Sequence, residues 1–241
     1  MIPNKQEQQV IDYLILHKLP LDILLEVKDH MISQVLDIQI NENLSFDEAF
    51  HKTQKLWESE FKTTKYSVFF KEEIPVIVKK IVKTRYNIIL KKAFLLGLIS
   101  FVLNLLLIYV ADNLEVYTAL FRMQNCLFVL VPLCIWGFNY KIWKYLKQSH
   151  KYEGKLLYSM YQQNIGTMVV AMSFMGQIVS KKGKYPYLFF RENNHNEIFF
   201  VLATLILPYL AQVMIIFVLI NFFEHKKALA KMQNFLNISI K

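Results

Sequence analysis

The chain has 241 residues, 54% of them hydrophobic, and a mean hydropathy of +0.27. Ordinary soluble domains are roughly 45–50% apolar, so this composition excludes one. A net charge of +9 would suit nucleic acid in a soluble protein. Here the lysines flank apolar runs, so membrane topology explains them and no direct nucleic-acid binding is expected.

Residues 1–62 read as a three-helix head. A first helix over 4–18 puts Val10, Ile11, Leu14 and Ile15 on one side. Leu19-Pro20-Leu21 ends it, because proline has no N–H for the helical ladder. From Asp22 to about Ile40, Leu24, Val27, Met31, Val35 and Ile38 recur at spacings of three and four, which makes one apolar stripe. Glu26, Asp29, His30, Ser33 and Asp37 fall on the other side. Asn41-Glu42-Asn43 is a turn, and Ser45-Phe46-Asp47-Glu48 is a capping box that opens a third helix. That helix carries Phe46, Ala49, Phe50, Thr53, Trp57 and Phe61 on one face. A core built from about 60 residues is marginal, so the head is expected to lean on its neighbours or on a partner.

Residues 63–92 read as a basic amphipathic juxtamembrane segment, helical after Pro75. Lys79, Lys80, Lys83, Arg85, Lys91 and Lys92 follow Glu73 with no acid among them. They are candidate contacts for lipid headgroups, each attracted by about 1 kcal/mol to an anionic surface.

Four membrane crossings are expected, at 93–111, 120–140, 160–180 and 198–223. Roughly 20 apolar residues cross the hydrocarbon core. The runs at 93–111 and 198–223 carry no charge, and the second crossing contains Pro132. The third is rich in small residues, Gly166, Ala171, Ser173 and Gly176, which let helices approach closely. A re-entrant or interfacial course for it stays open. Residues 181–197 read as an irregular loop around Tyr185-Pro186-Tyr187, and 224–241 as a basic tail.

Basic residues set orientation. With four crossings, the positives of 79–92, of 141–155 and of the tail share one side, and Arg122, Lys181, Lys182, Lys184 and Arg191 lie on the other. Head and tail are therefore expected in the cytoplasm. If 156–180 does not cross, 181–191 and the tail exchange sides and the bias is unchanged. No cleavable signal peptide is expected, because Glu7, Asp12 and Lys18 interrupt the first 20 residues.

No motif for catalysis appears. There is no phosphate-binding glycine loop, no nucleophile elbow and no paired histidine or Cys-x-x-Cys spacing. Glu26, Asp29 and His30 could ligate a metal, but no second histidine or cysteine stands near them, so neither metal nor cofactor is expected. Cys126 and Cys134 are about 12 Å apart along a helix, too far for a disulfide. Asn104, Gln177 and Gln212 are polar residues inside the crossings and form a candidate intramembrane seam.

The head resembles the HAAS signalling domain and related permease-prefix domains of bacterial membrane proteins. The matching positions, within residues 6–60, are Tyr13, Leu14, Leu19-Pro20, Glu26, Asp29-His30, Ser45 and Glu48-Ala49. The resemblance implies a cytoplasmic interaction module fused to membrane helices, partnered by a transcriptional regulator or by transporter subunits. It also implies a bacterial inner membrane, in keeping with a composition rich in Lys, Ile, Asn and Phe. The expected molecule is thus an all-α integral membrane protein with a three-helix cytoplasmic head. Its expected function is regulatory or scaffolding without catalysis, with Glu26, Asp29, His30, Ser33 and Asp37 contacting a protein partner. Membrane lipids are the other expected partner, and homo-oligomers are compatible. The alternative is a small channel or transporter subunit that uses the polar seam.

Overall fold

The computed structural model describes residues 3–67, 70–140, 168–177, 179, 183–194 and 197–236. These residues are mostly helical and form two compact units, described in turn. The first is built on Met1–Tyr86 and Lys226–Lys241, the second on Asn87–Tyr145 and Met160–His225.

In the first unit, α1 (Asn4–Leu16), α2 (Leu21–Glu42) and α3 (Phe46–Phe61) follow the expected punctuation. Pro20 caps α2 in an extended conformation, with φ −56° and ψ 142°. Asn43 ends α2 in the left-handed region at φ 52°, where asparagine is tolerated. The capping box is formed: Glu48 N donates to Ser45 Oγ at 3.4 Å, and Ser45 N donates to Glu48 Oε2 at 3.0 Å. Val10, Ile11 and Leu14 of α1 are buried with Leu24, Val27, Met31 and Val35 of α2 and with Phe46, Ala49 and Phe61 of α3. Tyr13 meets Phe50 and Phe61 edge-on at 5.8 and 5.7 Å, and His17 stacks on Phe61 at 4.3 Å. The Trp57 indole N–H donates to Gln34 Oε1 at 2.7 Å.

A β-hairpin follows and modifies the all-α expectation. Strands β1 (Thr63–Ser67) and β2 (Phe70–Pro75) pair antiparallel, with Thr63 opposite Pro75 and Lys65 opposite Glu73. Val76 N donates to Lys62 O at 3.0 Å and closes the base. The helix α4 begins there and runs unbroken as Val76–Val110, so the juxtamembrane segment and the first crossing are one element.

The second unit holds the apolar helices. α4, α5 (Leu114–Phe138) and α8 (Ile198–Leu236) are long and apolar enough to cross a membrane. Asn113 caps α5, accepting from Val116 N at 2.9 Å. α6 (Met168–Gln177) is a shorter apolar helix. It is the described part of the expected third crossing, whose other residues, apart from Val179, lie outside the described set. α7 (Tyr185–Arg191) is a short helix where an irregular loop was expected. Pro186 sits in its first turn, a position that needs no amide hydrogen. Buried Tyr187 stacks on Tyr117 at 5.5 Å and Arg191 donates to Tyr109 O at 3.2 Å, so α7 is fastened to the α4–α5 end of the unit.

Buried residues on the membrane part of α4 form one stripe: Ala93, Gly97, Ser100, Asn104 and Ile108. Its small members admit α8 closely. A β-carbon added at Gly97 would stand 2.4 Å from Val213 Cγ2. On the outer side, Leu95, Ile99, Leu103, Leu106 and Val110 are exposed, as lipid-facing positions are.

Candidate functional site

The outer face of α2 lies opposite its core stripe. Asp29, His30, Ser33 and Asp37 are all exposed there, and the Asp29 side chain is 77% accessible with Lys28 Nζ 3.6 Å away. Glu26 stands on the same face but differs in kind. Its carboxylate accepts from Arg85 of α4 and is only partly exposed. The Arg85 guanidinium also lies 3.7 Å from Asp22, whose side chain is 3% exposed. One guanidinium therefore serves two carboxylates on successive turns of α2, a geometry its forked donors allow.

The same contact shows where part of the basic segment lies. Of the six candidate headgroup residues, Arg85 turns to α2. Lys80 Nζ meets Glu60 of α3 at 2.5 Å, and Lys79 Nζ donates to Lys65 O of the hairpin at 2.7 Å. Residues 79, 80 and 85 thus join the start of α4 to three elements of the head unit, while Lys83, Lys91 and Lys92 are exposed. Flexible side chains from a helix edge can reach either lipid or protein, and here carboxylates and a carbonyl lay within reach.

The candidate intramembrane seam differs in burial along its length. Asn104 and Gln212 are buried, at 4% and 3% exposure, whereas the Gln177 side chain is exposed. The partners of Asn104 and Gln212 are residues that the sequence reading passed over. Tyr117 Oη donates to Asn104 Oδ1 at 3.5 Å, and Gln212 Nε2 donates to Asn125 Oδ1 at 3.0 Å. Gln124 Nε2 donates to Ser100 O and Ser100 Oγ at 2.8 and 2.9 Å. These three links tie α4 to α5 twice and α5 to α8 once. The doublet Gln124-Asn125 inside an apolar run was the signal that could have found them. Cys126 and Cys134 are free and exposed. An apolar groove of about 500 Å³ lies between α6 and α8, lined by Val170, Ala171, Phe174, Leu207, Leu210, Ala211 and Met214.

Titration is perturbed at a few head residues. Burial beside Phe61 and Tyr13 pushes the His17 imidazole below its ordinary value. Burial, and next the Glu58 carboxylate, pushes the Tyr13 phenol up. The Ser45 hydroxyl and amide hold the Glu48 carboxyl below its usual range. Among the described residues no three histidine, cysteine or carboxylate side chains gather as a metal site. Comparison of the chain with protein-family models, curated proteins and solved structures gives no match.

Proposed function

We propose that this chain is a multi-pass membrane protein of regulatory or scaffolding type, whose helical head binds a protein partner and carries out no catalysis. The observation that carries the reading is the division of labour on α2. Its inner stripe is consumed by the head core, while Asp29, His30, Ser33 and Asp37 are exposed on the other side. A marginal head that leaves such a ridge in solvent is suited to recognition by a partner. The resemblance of residues 6–60 to HAAS-type heads supports a soluble signalling protein, such as a transcriptional regulator, as that partner. In this reading the membrane is the bacterial inner membrane, and the basic flanks put head and tail in the cytoplasm. The region 160–180 makes the third of four crossings, and small homo-oligomers are compatible with this reading. Lys83, Lys91 and Lys92 are the basic residues best placed for anionic lipid.

Affinity purification of the intact chain in mild detergent, with and without charge reversal at Asp29 and His30, tests the partner. The reading expects a soluble protein to be retained by the parent and lost from the variant while both reach the membrane. Equal recovery from both counts against this face. A cysteine placed at Lys231 should be shielded from an impermeant reagent in intact cells, and outside labelling would remove the four-crossing arrangement.

A second reading is favoured by the polar links at Asn104, Ser100, Gln124, Asn125 and Gln212, which cluster in the apolar unit. It makes the chain a small channel or transporter subunit. Solute flux in liposomes that disappears in Gln212→Leu would support it.

A further inference from the structure

We infer that Arg85 is an internal occupant of the α2 face, which holds Glu26 in the closed head and yields it to a cationic group of the partner while keeping hold of Asp22. The inference rests on the partner reading above and adds how that site is regulated. The two arms of the clamp are unequal. The Asp22 side chain is 3% exposed, so withdrawing a cation from beside it is costly. The Glu26 side chain is 37% exposed and the Arg85 side chain 29%, so water reaches the second arm. An ion pair that water reaches contributes less than a buried one and exchanges more readily. The Glu26 arm is therefore the one that can open.

What it would open onto is set by position. Glu26, Asp29, Ser33 and Asp37 follow one another at spacings of three and four along α2, so they share one ridge. Arg85 covers the first of them, and the other three are exposed. The seated guanidinium also identifies the chemistry that this ridge accepts: a forked or ammonium cation carried by a partner segment. With Arg85 on Glu26 the ridge presents Asp29 and Asp37 as its acids, and with Arg85 withdrawn toward Asp22 it presents Glu26 as well. Arg85 belongs to α4, the helix that continues to Val110, so the residue that regulates the face and the first crossing lie on one element.

Arg85→Lys separates the two arms. Lysine keeps a positive charge beside Asp22 but is a point donor that cannot fork to two carboxylates. The probe is a labelled arginine-alanine helical peptide, titrated by fluorescence anisotropy onto the full chain in nanodiscs of neutral lipid. We expect Arg85→Lys to bind the peptide about five-fold more tightly than the parent, by the order of one freed charge contact, and Glu26→Gln in the Arg85→Lys background to abolish the gain. Equal or weaker peptide binding by Arg85→Lys overturns the proposal, as does a gain that survives Glu26→Gln. Amide exchange of α3 in the same samples must match the parent, and if Arg85→Lys exposes α3 then the clamp is structural only and the proposal falls. Failure of the partner reading is seen separately, in unchanged co-purification after charge reversal at Asp29 and His30.

Discussion

The head and the apolar unit solve the problem of polar groups in opposite ways. In the head, polarity is carried by full charges at the margins: Lys28 on Glu7 at 2.6 Å, Lys52 on Glu42 at 2.5 Å, and Arg85 across Asp22 and Glu26. In the apolar unit, the buried contacts between helices are made by neutral amides and hydroxyls, with glycine admitting a neighbour. The difference follows from solvent. Water near the head lowers the cost of charge, whereas at membrane depth an ion is expensive and a neutral amide finds a partner on the next helix.

The largest effect is expected at the nearly buried carboxylate of the head. Arg85→Ala should destabilise the head by about 3 kcal/mol, because the guanidinium charge is removed from beside Asp22. Amide exchange of α1–α3 should rise steeply while that of α5 is unchanged. Gly97→Ala should cost the apolar unit about 1–3 kcal/mol, since the new methyl meets Val213. Thermal melting in detergent measures this, and Val213→Ala should restore part of the loss. Gln212→Leu should cost about 1 kcal/mol, the worth of one interhelical hydrogen bond in a membrane. Gln124→Leu should behave similarly, and a melt unchanged in both would remove the links from the account.

Acidification has the smallest of these effects on the head. Burial holds the folded His17 imidazole below its ordinary pKa of about 6.5, so the unfolded head binds more protons as pH falls through that value. The contribution is full above pH 6.5 and declines below it. His17→Gln should flatten this part of the pH profile of head stability, followed by circular dichroism. Glu48 adds a second decline at lower pH, where protonation opens its bonds to Ser45.

Local punctuation was legible in the sequence. Pro20, Asn43 and the Ser45–Glu48 box mark helix ends through backbone chemistry that needs no tertiary context, and the helices begin and end within a few residues of them. The runs at 93–111 and 198–223 were legible because length and apolarity alone decide them. The hairpin was not, since lysines and glutamates around it read as a solvated approach to the membrane. Its β-branched and aromatic residues Thr63, Thr64, Tyr66 and Phe70 carried the competing signal. Changes of composition at Lys91-Lys92 and Glu224-His225 mark the expected limits of crossings without marking helix ends, so α4 and α8 pass through them. The candidate site was legible as a face but not as a set of contacts, because a long cation such as Arg85 chooses between lipid and carboxylate by tertiary placement.

The proposed meeting of the exposed α2 ridge with a soluble partner is best probed by a photo-crosslinking residue at Ser33 of the full chain, activated in living cells. One discrete adduct with a soluble protein is expected, lost when Asp29 and Asp37 are both changed to lysine. An adduct only with a second copy of this chain, or no adduct while the same residue placed in α8 crosslinks its surroundings, would contradict it.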